Sequence, residues 1–264
     1  MYPYEILKGI DLYMIMLCVA AVSAIIIYRL LADRYGLGAR LQNLCLFNAV
    51  VSIVGGYYSA VLFQAIYNID KNGGFELTAS TGATFYGGLL GGAAIFLAVY
   101  FIAGRIMFGK GGEHVREFFS IANMGAACIA AAHGFGRLGC LFAGCCHGAP
   151  TDKWYGIYMV ALDSKVVPIQ LFEAIFLFGL FTLFLVRILK NKAYNLPIYM
   201  GAYGVWRFFI EYARTDYRGS TIISFLTPSQ LTALVMIAGS VAVFFLEYSV
   251  RRKRAQGNSA ERDV

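Results

Sequence analysis

Seven apolar runs long enough to cross a bilayer follow one another at residues 11–31, 41–66, 84–104, 118–138, 168–189, 195–212 and 229–249. About 20 residues of helix span the hydrocarbon core, and inside it each backbone amide and carbonyl must be paired within its own segment. A chain built this way has few alternatives to a helical bundle, so the expected fold is an all-α membrane protein with seven transmembrane helices. Composition agrees, since 59% hydrophobic and 14% charged residues leave too little polar surface to solvate a soluble domain of 264 residues. The sixth run is interrupted by Arg207 and Glu211. Its tyrosines and tryptophan and its short flanking loops suit a helix that faces a polar cavity.

Basic residues orient the bundle. With the carboxyl terminus in the cytoplasm, the three inner connections carry Arg29, Arg34 and Arg40, then Arg105, Lys110 and Arg116, then Arg187, Lys190 and Lys192. The tail adds Arg251, Arg252, Lys253, Arg254 and Arg262, while the outer side keeps only Lys8, Lys71, Lys153, Lys165, Arg214 and Arg218. Cytoplasmic loops rich in lysine and arginine are the rule, which places the amino terminus outside. The net charge of +7 is then a matter of topology and of anionic lipid, and a nucleic-acid partner is not expected. Residues 1–250 are expected to form one membrane domain and residues 251–264 a basic cytoplasmic tail, solvated and frayed. Residues 1–11 lack a basic start and no small-residue cleavage pattern follows the first run, so the first helix is expected to be retained.

Arg137 ends the fourth apolar run, within AAHGFGRLGCLFAGCCHG, residues 131–148. A guanidinium at membrane depth costs roughly 3 kcal/mol or more and persists where an anion or a wet cavity receives it. Arg207 repeats the feature, and two buried arginines suit a phosphate-bearing ligand, here a phospholipid headgroup. His133 lies one helical turn before Arg137, so a base and an anion-binding group would share a face. Gln170 with Glu173, and Arg207 with Glu211, stand at helical spacing in the fifth and sixth runs. Arg207 and Glu211 could be a structural ion pair, but the number of polar side chains at similar depth is more simply met by one shared cavity. The glycines of residues 134–148 suggest close packing or close approach to a ligand, with a broken or re-entrant segment after Gly139. Tyr86, Gly87 and Gly88 open the third helix, where backbone amides favour anions.

Cys140, Cys145, Cys146 and His147 offer soft metal ligands within eight residues. The two-residue separation of common metal sites is absent, and adjacent cysteines do not easily reach one ion in a regular geometry. No metal or cofactor is assigned on these grounds. A disulfide from Cys140 to one of the pair is compatible with an outer location. Cys18, Cys45 and Cys128 have the setting of small buried apolar residues.

Four segments in order, FYGGLLGG, GRLGCLFAGCCHG, PIQLFE and GAYGVWRFFIEYAR, resemble those of the prolipoprotein diacylglyceryl transferase family. The resemblance runs from Tyr13 to the last helix. It implies a bacterial plasma-membrane enzyme of seven spans with its amino terminus outside, which transfers the diacylglyceryl group of phosphatidylglycerol to the thiol of a lipobox cysteine in a preprolipoprotein. It also implies that Arg137 and Arg207 meet the lipid phosphate, that Gln170, Glu173 and Glu211 support them, and that Tyr13, Tyr86, Gly87, Gly88 and Cys140 line the substrate site. Several positions depart from the family pattern. Tyr86 replaces a histidine, Cys140 and Ala143 replace asparagines, Cys145 replaces a glutamate and Tyr57 replaces an arginine. The usual general base is therefore missing, and His133 or Tyr86 is the candidate to supply or orient one. A sibling transferase with another acceptor, and a non-enzymatic transporter or thiol and metal sensor, stay open as alternatives.

Overall fold

The computed structural model describes residues 4–7, 9–69, 74–78, 81–214 and 225–260. Lys8, Lys71, Arg218 and Arg262, used above to orient the chain, lie outside them. Helices α1 (Leu12–Arg34), α2 (Ala39–Tyr67), α3 (Phe85–Phe108), α4 (Glu113–Ala143), α5 (Ile169–Leu189), α6 (Asn195–Ile210) and α7 (Pro228–Ala260) coincide with the seven apolar runs. Six are long and apolar enough to cross a membrane. The exception is α6, whose 16 residues come to roughly 24 Å of helix, short of the hydrocarbon thickness. The fold is not purely helical: strands β1 (Glu5–Leu7) and β2 (Ile10–Asp11) pair antiparallel, as do β3 (Ile157–Met159) and β4 (Ser164–Val166).

Two expectations about helix ends are corrected. The glycine-rich stretch does not break after Gly139, because α4 continues to Ala143 and ends at Gly144, where φ is 72°. Its internal glycines make close contacts instead: a Cβ on Gly134 would lie 2.9 Å from the Phe178 ring, and one on Gly139 would lie 3.1 Å from Tyr13 and 3.2 Å from Met16. The basic run that was expected to fray continues α7 to Ala260. Arg251 donates to Glu247 at 2.7–2.8 Å, one turn back, and Glu247 also accepts from Asn123 Nδ2 at 2.8 Å. That carboxylate is fully buried, so the cation beyond it holds the helix together past the apolar run.

The chain forms two compact units, Ala32–Phe118 and Met1–Leu31 with Phe119–Val264. In the first, α2 and α3 pack through small residues. A Cβ on Gly56 would sit 3.0 Å from the Gly88 carbonyl, and Asn48 Nδ2 crosses to the Phe96 carbonyl at 2.8 Å. The second unit carries the polar centres described below. Its α6 and α7 meet at Gly204, where an added Cβ would fall 2.8 Å from Ile237 Cγ1 and 3.0 Å from the Ala233 carbonyl. Gly204→Ala should therefore force the helices apart and cost about 1–3 kcal/mol, as overpacking does. The check is the melting temperature of the purified protein in detergent. An unchanged value would mean the interface has slack.

Candidate functional site

Three helices of the larger unit bring polar side chains to one another by simple periodicity. On α4, His133, Arg137 and Cys140 fall on successive turns. Along α6 and into the 3-10 turn Glu211–Ala213 that follows it, Tyr199, Tyr203, Arg207 and Glu211 recur every four residues, and on α5 Gln170 precedes Glu173 by one turn.

The first centre forms around Tyr203. Arg137 Nε lies 3.1 Å from Glu173 Oε2, and its Nη2 donates to the Tyr203 hydroxyl at 3.4 Å. Tyr203 in turn donates to Glu173 Oε1 at 2.7 Å. Having spent its proton there, the Tyr203 oxygen can only accept from His133 Nε2, 3.4 Å away. The imidazole then carries its proton on Nε2 and accepts at Nδ1 from the Tyr199 hydroxyl, at 3.1 Å. Glu173 is fully buried, and the Arg137 side chain is 13% exposed. A carboxylate so enclosed needs the hydroxyl donor and the facing guanidinium charge it has found.

The second centre lies a turn further along α6. Arg207 Nη2 is 2.6 Å from Glu211 Oε2 and donates to Ser229 Oγ at 2.8 Å. Thr227 Oγ1 donates to Glu211 Oε1 at 3.1 Å, and Arg214 Nε approaches Oε2 at 4.0 Å. The start of α7 presents these hydroxyls. Thr227-Pro-Ser-Gln230 is a capping box, with Gln230 N donating to Thr227 Oγ1 at 3.2 Å, Thr227 N donating to Gln230 Oε1 at 3.0 Å, and Pro228 at the first helical position. Arg207 Nη1 is buried and has no hydrogen-bond partner among the described residues. Buried guanidinium nitrogens are ordinarily met by protein, water or a ligand.

The polar side chains expected in one cavity thus form two arginine–carboxylate pairs. Glu173 serves Arg137, which leaves Glu211 to balance Arg207. Gln170, fully buried, donates through Nε2 to the Cys145 carbonyl. That bond ties α5 to the segment after α4. Gly148 N also bonds to the Val167 carbonyl at 2.9 Å, and Ala149 N to the Ala213 carbonyl at 3.2 Å, so the segment is anchored to the start of α5 and the end of α6.

On this anchored segment the sulfurs of Cys140, Cys145 and Cys146 all lie within 4.8 Å of one another. The objection that adjacent cysteines cannot converge fails here for a backbone reason. Gly144 and Cys146 both take left-handed conformations, with φ of 72° and 60°. Hydrogen bonds from the Cys140 and Cys145 thiols, with Arg214 beside it, hold Cys146 well below the usual thiol range. Hydrogen bonding to Cys140 and Cys146, and burial, push Cys145 up. No disulfide joins cysteines among the described residues.

Tyr13 of α1 packs against Gly139 and lies within electrostatic reach of Arg137 and the three cysteines. Gly87 and Gly88 belong to the smaller unit, where they are occupied by α2: a Cβ on Gly87 would lie 2.6 Å from Phe63, and one on Gly88 would lie 3.4 Å from Ala60. The side chain of Tyr86 is outside the described residues. Tyr199, Tyr203, Thr227 and Ser229 were not anticipated. The four-residue spacing of Tyr199 and Tyr203 with Arg207, and the TPSQ capping signature, were the signals available.

The chain matches the family described as prolipoprotein diacylglyceryl transferase over residues 5–246. It is similar to phosphatidylglycerol-prolipoprotein diacylglyceryl transferase 2 of Clostridium perfringens, 30% identical over 232 residues that cover 75% of this chain and 86% of that protein. The corresponding protein of Clostridium tetani is 29% identical over 209 residues, 75% of this chain and 79% of that one. That of Pseudomonas paraeruginosa is 29% identical over 233 residues, 84% of this chain and 81% of that one.

Proposed function

We infer the reaction from one premise: the chain belongs to the prolipoprotein diacylglyceryl transferase family. It is a multi-pass membrane transferase of the bacterial plasma membrane that moves the diacylglyceryl group of phosphatidylglycerol onto the lipobox cysteine of a preprolipoprotein. The acceptor thiol gives up its proton to solvent, and its sulfur attacks the glycerol carbon that bears the phosphate. A C–S bond forms, the C–O bond to phosphate breaks, and glycerol phosphate departs with the electron pair.

The observation that carries this reading is the pair of buried arginines, each held by a carboxylate through one edge, with Arg207 Nη1 left to donate. As the C–O bond breaks, negative charge collects on the phosphate oxygens, and fixed guanidinium donors stabilise that charge more than they stabilise the bound lipid. Glu173 and Glu211 hold the two guanidiniums in place, and Tyr203 fixes the plane of Arg137. An apolar cleft of about 310 Å³ lined by Phe176, Val205, Trp206 and Phe209 begins one residue from Arg207 and suits an acyl chain. Gln170, Tyr13 and Cys140 border the acceptor side. With the amino terminus outside, α6 completes a seventh span with its 3-10 turn Glu211–Ala213, and residues 144–168, with Arg214, lie on the outer side, where preprolipoproteins arrive. Incubation of purified protein with labelled phosphatidylglycerol and a lipobox peptide tests the assignment. Label must appear on the cysteine peptide and not on its serine counterpart, and label passed instead to another acceptor points to the sibling transferase.

His133 was expected to act as the base or to orient it. Its Nδ1 is already occupied by Tyr199 and its Nε2 by Tyr203, so its role is to position Tyr203 over Arg137 and Glu173. His133→Gln keeps one donor and one acceptor but loses the ring's fixed geometry. We expect about a tenfold loss of turnover with an unchanged pH profile, since positioning errors act on the barrier and not on a titration. A profile that loses its basic limb would instead make His133 the base. Near-parental activity across the neutral range would move the search to Tyr86.

A further inference from the structure

We propose that Cys140, Cys145 and Cys146 hold one thiophilic divalent ion of the zinc class, with a fourth coordination place open to the thiol of the acceptor polypeptide. The metal site stands on its own geometry; the role of the fourth place rests on the transferase reading.

The distances are close to those required. Zinc–sulfur bonds of about 2.3 Å in a tetrahedron set the sulfurs roughly 3.8 Å apart. The three sulfurs already lie within 4.8 Å of one another, so loading asks for shifts of about an ångström or less, within reach of thiol rotamers. The backbone is built for this convergence. Cys145 N bonds to the Cys140 carbonyl at 3.2 Å, Gly144 N bonds to the Leu141 carbonyl at 3.2 Å, and Gln170 holds the Cys145 carbonyl from α5. Cys146 keeps a φ of 60°, which a residue with a side chain rarely adopts without something to hold it there. Three thiolates on one divalent ion leave a net negative charge, and the Arg214 guanidinium beside Cys146 answers it. Three protein ligands with one open place is the pattern of catalytic zinc, whereas structural sites close all four.

The position of the cluster gives the open place a use. Cys140 lies one turn beyond Arg137 on α4, and Gln170, which holds Cys145, lies one turn before Glu173. Arg214, beside Cys146, is 4.0 Å from Glu211. The three sulfurs therefore adjoin both arginine–carboxylate pairs. A cysteine thiol bound there loses its proton to solvent, because a coordinated thiol is deprotonated outright. Its sulfur then attacks carbon as the C–O bond to phosphate breaks, and the thioether product, uncharged and a weak donor, leaves the ion. Nothing is oxidised or reduced. The arrangement would supply, without an imidazole at position 86, the one thing a thiol needs to become a nucleophile.

The test uses the full chain, purified in detergent without chelator, incubated with zinc chloride and desalted. Elemental analysis should find about one zinc per chain, and the Cys140→Ser/Cys145→Ser/Cys146→Ser variant should retain less than roughly a fifth of that. Because the triple variant could misfold, Cys145→Ser alone is measured too, with gel filtration and circular dichroism; folded protein with weakened zinc retention supports the site. A cobalt-loaded sample should show sulfur-to-metal charge-transfer bands that change on addition of a lipobox peptide but not of its serine analogue. Parent protein that binds no zinc after loading, or whose intact mass shows two of these thiols joined as a disulfide after anaerobic purification, overturns the proposal. Loaded protein whose cobalt spectrum ignores the cysteine peptide overturns the open place. Loaded protein that responds to the peptide yet never labels it from phosphatidylglycerol defeats the transferase reading and leaves the metal site standing.

Discussion

Arg137→Lys should lower diacylglyceryl transfer about 10²–10³-fold while leaving the protein folded, because removal of a fixed donor to a developing oxyanion costs roughly 3–4 kcal/mol. The geometry says why a lysine cannot substitute. Arg137 reaches Glu173 through Nε at 3.1 Å and Tyr203 through Nη2 at 3.4 Å, two directions fixed by one plane. An ammonium is a single point; whichever partner it takes, it loses the other and with it the orientation toward phosphate. Folding should survive, since Glu173 still faces a cation. Transfer from labelled phosphatidylglycerol and the melting curve together check the claim. Retention of more than half the parental activity would take Arg137 out of the phosphate-binding role.

Helix positions were legible because lipid leaves the backbone no other choice. Each long helix covers its apolar run to within one residue and differs mainly at its ends. The largest difference is at α7, which continues past residue 249 because Glu247 and Arg251 are paired beyond the apolar stretch. Arg137 and Arg207 were legible for the same reason, as charges where charge is costly. Tyr203 was not. The chain has 18 tyrosines, and nothing local separates the one at the centre of a hydrogen-bond network from those at a lipid boundary. Its importance exists only once α4, α5 and α6 are side by side. The cysteines show the opposite limit: their number and proximity in sequence were plain, but whether adjacent sulfurs could meet was decided by φ at Gly144 and Cys146. Spacing rules taken from regular backbone do not cover that case.

The division of charge into two pairs bears on stability as well as on chemistry. Arg207 and Glu211 are each less than a tenth exposed, so neither can recover solvation if the other is removed. Arg207→Met should therefore destabilise the protein by about 3–5 kcal/mol, the usual consequence of stranding one member of a buried pair. For a chain of this size that corresponds to a fall of roughly 10 °C in melting temperature. Arg214 tempers the loss only slightly, since at 4.0 Å from Glu211 it is too far for a strong hydrogen bond. The double variant Arg207→Met/Glu211→Leu removes the stranded carboxylate together with its cation and should regain most of the lost stability while remaining inactive. That combination separates the two roles of the pair: restored folding without restored transfer assigns the arginine to the substrate. If the single variant melts within about 2 °C of the parent, solvent or lipid already screens Glu211, and Arg207 is not the enclosed donor that phosphate recognition requires.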